Sequence, residues 1–154
     1  MSDSNDSQTK LRASVFAPKV VAPATHDEFA DSDLPDTSGP YQAFARPSNK
    51  PIYTLHCWLG KDGYRSFQYC HLDSNSSFKT GPAGHVITVR FAGTQLIQVT
   101  ITGRKLWRLY DYVFQHRLAW IARSDRDLAD AHEAVITAIE IVAVDLPQAG
   151  PFAT

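Results

Sequence analysis

The chain is short of most features that announce a function. It has two cysteines in 154 residues, Cys57 and Cys70. Two are too few for a disulfide framework, and a reducing cytoplasm is the expected setting. The opening MSDSNDSQTK has no apolar stretch of the kind a secretion signal needs, and its acids argue against a mitochondrial presequence. No run approaches the roughly 18 apolar residues that would cross a bilayer, so no membrane span is expected. Charge of either sign is scarce in excess as well. Lys and Arg number 15 against 16 Asp and Glu, a formal net charge of −1. A protein dedicated to polyanions would have to concentrate its basic side chains on one face.

The first 48 residues are poor in a different way. They hold five of the nine prolines but no tryptophan, cysteine or isoleucine. Such a stretch cannot bury enough apolar surface to offset its ordering entropy. Residues 1–48 are therefore expected to be a largely disordered leader with short binding segments, followed by one folded domain over 49–146 and a flexible tail over 147–154. Inside the leader, SVFAPKVVAPA (14–24) suits an extended or partner-binding strand. THDEFADSDLPD (25–36) opens on a Thr25-x-x-Glu28 capping box and suits one or two helical turns.

The remainder carries clear periodicities. IYTLHCWL (52–59) and YRSFQYCHL (64–72) flank the turn GKDG and read as a hairpin. DSNSSFKTGPAG (73–84) has the composition of a loop. HVITVRF (85–91) and QLIQVTIT (95–102) form a second hairpin whose register can be argued from parity. Ile87, Val89 and Phe91 share one face of the first strand, and Ile97, Val99 and Ile101 share one face of the second. Both sets are odd-numbered, so a three-residue connection or its bulged equivalent is predicted, with Val89 opposite an odd-numbered residue.

Next comes GRKLWRLYDYVFQHRLAWIARS (103–124), with two of the three tryptophans. At about 100° per residue, Leu106, Leu109, Tyr110, Val113, Phe114, Trp120 and Ile121 fall in one arc, which predicts a helix over 104–122. AVITAIEIVAV (134–144) is β-branched and partly alternating, and reads as a strand. The expected fold class is α+β: an antiparallel sheet of four strands or slightly more, one long amphipathic helix packed on one face, and a late C-terminal strand. In shape this is a small pleckstrin-homology-like or related module.

The chemical hints are thin. His56-Cys57 mirrors Cys70-His71 across the first hairpin, but adjacent strand residues point to opposite faces and cannot supply four ligands to one zinc ion. A cysteine nucleophile would need a base and an electropositive pocket to form thiolate. HEAVI (132–136) lacks the second histidine of a metalloprotease helix. Arg117 is the oddest residue, since the wheel puts it in the apolar arc. It is expected to reach over the core edge to terminal carbonyls, to pair with Asp145 or Glu140, or to hold an anion. No catalytic, cofactor or metal-binding residue is assigned.

By this reading the chain is a non-enzymatic protein-interaction or adaptor module, engaging a protein partner or a second copy of itself as a homodimer. Its candidate partner-binding residues are Trp58, Tyr64, Trp107 and Tyr112. The alternatives are a single-stranded nucleic-acid binder, suggested by the basic and aromatic residues of 104–123, and a small enzyme using a cysteine or a histidine.

Overall fold

The structure is a computed structural model that describes residues 35–36, 38–126, 128 and 131–145. All of them belong to one compact unit, Asp31–Thr154. The expectations for 14–24, for the capping box at 25–28 and for the tail at 147–154 lie outside the described residues. The fold is mixed α+β. Its strands are β1 (Thr54–Trp58), β2 (Tyr64–Gln68), β3 (Ser77–Gly81), β4 (Gly84–Ala92), β5 (Leu96–Arg104), β6 (Trp120–Ala122) and β7 (Val135–Val144), with a single described α-helix, α1 (Trp107–Phe114), between β5 and β6.

The second hairpin forms as its parity requires. Val89 lies opposite Val99, Ile87 opposite Ile101 and Phe91 opposite Ile97. The turn residues Gly93–Gln95 make the three-residue connection, closed by the Gly93 N–H on the Gln95 carbonyl at 3.1 Å. One face of this pair is dry: Ile87, Val89, Val99 and Ile101 have no exposed surface. The late strand then joins β5 antiparallel, completing a four-stranded sheet in the order β3-β4-β5-β7.

That sheet is not made of the four strands the sequence suggested. DSNSSFKTGPAG is not a loop throughout, because Ser77–Gly81 pairs with β4. Its Phe78 touches the rings of His85, Trp107 and Tyr110 at 4.9, 5.2 and 5.7 Å. One half-buried aromatic with three ring contacts thus outweighs a polar, turn-like composition. The first hairpin belongs to a separate sheet, β2-β1-β6, in which β6 runs parallel to β1. Its returning strand also ends at Gln68, and Tyr69–His71 form a short 3-10 turn.

The helix is eight residues long rather than the span 104–122. Its end is a Schellman motif: the His116 N–H donates to the Val113 carbonyl and the Arg117 N–H to the Tyr112 carbonyl, both at 3.0 Å. The left-handed residue is His116, with φ 54°. Histidine is no usual signal for that conformation, and the Tyr69 ring stacked on it at 4.7 Å holds it in place. Freed from the helix, Trp120, Ile121 and Ala122 enter a strand with all three side chains buried. A short apolar run suits a strand covered on both faces as well as it suits a helix.

Leu106, Leu109 and Val113 of the helix segment are fully buried in one core with Leu55 and Cys57 of β1 and the dry face of β4 and β5. Phe67 of β2 stacks on Phe91 of β4 at 4.7 Å, joining the two sheets. Residues ahead of position 49 also take part. Phe44 bridges Ile121, and the Ala45 N–H and Ala43 carbonyl bond to Trp120 and Ala122. At the β5–β7 seam a bulge falls at Thr102/Gly103, where a Cβ on Gly103 would overlap the Val135 carbonyl oxygen. Glycine is needed there for close backbone approach.

Candidate functional site

The three-stranded sheet buries one face and leaves the other partly open. Along β1, Leu55 and Cys57 turn into the core while Thr54, His56 and Trp58 stay half-buried. The register sets Trp58 opposite Tyr64 and His56 opposite Ser66, and β6 brings Trp120 beside His56 and Ala122 beside Trp58. The rings of Trp58 and Tyr64 meet at 4.8 Å, inclined by 55°. Ala45, Ala119, Trp120 and Ala122 form a small apolar cluster of their own, against which Ile52 and Trp58 pack. Trp120 is 4 % exposed, and its indole N–H is a buried donor with no partner among the described residues.

Beside this face opens a groove of about 580 Å³. Tyr41, Trp58 and Trp120 supply its aromatic lining, while Asp36, Arg123, Asp125 and Arg126 supply charges of both signs. Tyr41 is fixed on both sides. Its hydroxyl donates to the Ala122 carbonyl at 2.8 Å and accepts from the Ile136 N–H at 2.9 Å. Burial pushes its pKa up to about 12, in spite of the Ile136 bond, which favours the phenolate. Arg123 and Asp125 approach to 3.6 Å in an exposed pair, worth little to stability. Gly60, at φ 69°, leaves them room, since a Cβ there would stand 3.1 Å from Asp125 Oδ1 and 3.2 Å from Arg123 Nη2. At the rim, hydrogen bonds from the Ser38 hydroxyl and N–H hold the Asp36 carboxyl below its usual range.

A second groove, of about 590 Å³, lies at the start of α1 between Phe44, Trp107, Arg108, His132 and Glu133. Trp107 is 57 % exposed there, and Lys105 is anchored by donating to the His132 carbonyl.

The four candidate partner-binding residues are therefore divided. Trp58 and Tyr64 share one patch, Trp107 belongs to the second groove, and Tyr112 stands edge-on to Phe44 at 6.2 Å. Arg117 lies beyond the helix. Its Nε donates to the Ser48 carbonyl at 2.7 Å, its Nη1 to Gln115 Oε1 at 3.1 Å, and its guanidinium covers the Tyr112 ring at 5.1 Å. No carboxylate pairs with it among the described residues; the ion pair with Asp145 or Glu140 is replaced by a clasp on the strap before β1. Trp120 and Tyr41 are not among the sequence candidates, and Arg123 figures there only as one of the basic residues of 104–123. Trp120 was hidden by its place in the helical arc, and Tyr41 by its place in the proline-rich leader.

The nucleophile candidates fall apart geometrically. Cys57 faces Arg65 rather than a histidine across the hairpin, and burial pushes its thiol up to about 12, away from thiolate. Cys70 is exposed on the 3-10 turn, 3.6 Å from Gln68 Oε1. His56 Nδ1 and Ser66 Oγ are 2.7 Å apart, the spacing of a nucleophile–base pair. They stand on an open strand face with no carboxylate orienting the imidazole among the described residues. No group of metal-ligating side chains is assembled among the described residues, and no described helix is long and apolar enough to cross a membrane. Comparison of the chain with protein-family models, with curated proteins and with solved structures finds no match.

Proposed function

We propose that the chain is a non-enzymatic protein-interaction module whose docking surface is the open face of the three-stranded sheet around Trp58. The observation that carries this reading is the half-exposed Trp58–Tyr64 pair standing beside an aromatic-floored groove with balanced charge. Rigid aromatics supply contact area at low entropic loss, and clustered tryptophan and tyrosine are the usual anchors of a protein interface. The groove's two arginines are offset by two aspartates, a pattern suited to a peptide of mixed charge rather than to a polyanion. Two free cysteines suit the cytoplasm as the setting. The test is capture of partners from a host lysate by the full chain, by Trp58→Ala and by Trp107→Ala. A partner retained by wild type and Trp107→Ala, but lost from a folded Trp58→Ala, supports the reading. Partners that bind Trp58→Ala undiminished contradict it.

One observation favours a second reading, a single-stranded nucleic-acid binder. Trp107 is the most exposed tryptophan described and shares its groove with Arg108 and Lys105. In that case a fluorescent single-stranded oligonucleotide binds with strong salt dependence, and Trp107→Ala weakens it.

A further inference from the structure

The four-stranded sheet has an edge at β7, and the residues of that edge say what fits it. β7 pairs with β5 on one side and ends the sheet order among the described residues. Its start is already tied on the other side. The Ile136 N–H donates to the Tyr41 hydroxyl at 2.9 Å, and the Ile136 carbonyl accepts from the Ser124 N–H at 2.8 Å. From Ala138 to Val144 the outer edge has no hydrogen-bond partner among the described residues.

Natural sheets blunt such an edge with lysine, proline or a bulge. Here the bulge falls at Thr137, just ahead of the open stretch and opposite Thr102/Gly103, and the stretch AIEIVAV itself has no bulge and a single charge, Glu140. Both faces carry apolar side chains. Ile139 and Ile141 pack against the main core yet remain only half-buried, and Val142 on the opposite face is 43 % exposed. One more strand along this edge would complete the cover over Ile139 and Ile141.

We infer that this strand is β7 of a second copy, antiparallel, about a two-fold axis through Ile141, so that two four-stranded sheets become one. The open stretch runs from Ala138 to Val144, and Ile141 is its midpoint, so this register alone uses the whole edge. It sets Ala138 opposite Val144, Ile139 opposite Ala143 and Glu140 opposite Val142 of the second copy, keeping core-facing residues with core-facing ones. Centring on Glu140 instead would set two carboxylates face to face and run the second copy into Ile136, where Tyr41 and Ser124 hold the edge. Charge and geometry choose the same register. This pairing lies on the other sheet from Trp58 and does not depend on the proposed partner surface.

Sedimentation equilibrium of the full chain and two variants tests it, with melting curves to confirm folding. Wild type should form dimers as concentration rises. Val142→Glu places a carboxylate against Glu140 of the second copy, twice per dimer, and should weaken association several-fold. Val142→Lys places an ammonium against the same carboxylate and should associate at least as tightly as wild type. A wild-type chain that stays monomeric at every concentration overturns the inference. So do two variants that weaken association equally, because that would mean an apolar contact without this register. Loss of dimers in Trp58→Ala would likewise move the contact to the other sheet and overturn it.

Discussion

Trp58 and Leu109 show how two large side chains in one small protein come to do different work. Leu109 has no exposed surface and sits where helix and sheets meet, so Leu109→Ala should cost about 2–5 kcal/mol in chemical denaturation. Trp58 is half-buried, resting on Tyr64 and on the edge of the smaller cluster. Trp58→Ala should cost about 1–2 kcal/mol, a loss the fold survives. The buried acids of high pKa set a limit at alkaline pH. Cys57 rises from 9.0 to about 12 and Tyr41 from 10.0 to about 12, both through burial, and Tyr69 shifts the same way. The neutral forms are those the fold prefers. Their contribution is complete below the unfolded values and is lost as pH climbs toward the folded ones. Denaturant midpoints should therefore hold steady up to pH 9 and fall beyond it. In Cys57→Ala, whatever its midpoint at neutral pH, the onset of that fall should move toward pH 10, where the tyrosines take over.

At the scale of the element, legibility followed how local the determining contact is. The β4–β5 register could be read from parity alone, because a one-residue slip would turn Val89 and Val99 out of the core. The late strand was legible for the same reason, in its run of β-branched residues. The helix end was not. Its stop signal is a left-handed His116 steadied by Tyr69, which lies 47 residues earlier in the chain, and no glycine marks the place. Substitution there should rank in an order a helix interior would not give. At φ 54°, His116→Val is strained by its branched side chain and should lose about 1–2 kcal/mol, more than His116→Gly loses. Were the helix to continue past this point, glycine would be the worse of the two. β3 was missed because its packing rests on one half-buried ring, Phe78, in an otherwise polar stretch.

For the molecule as a whole, the chief difference from a single sheet is that β6 returns to lie parallel to β1. That return could not be read from the sequence, since a parallel partner is distant by nature and Trp120–Ala122 suits a helix equally well. It decides the candidate site, however. Of the four candidate partner-binding residues named from the sequence, Trp58 and Tyr64 needed only the first hairpin to come together. Trp120, Arg123 and the groove beside them exist because β6 lies next to β1 and the Tyr41–Ala45 strap lies next to β6. Among the described residues, the face around Trp58 joins a tryptophan–tyrosine pair in ring contact to a groove whose two arginines are offset by two aspartates. The most direct measurement is a hydrogen-exchange footprint of the full chain with the captured partner bound. Protection should increase over 54–58, 64–68 and 120–126. Protection confined to 105–114 and 131–134, with the Trp58 face unchanged, would place the partner at the Trp107 groove and contradict the account.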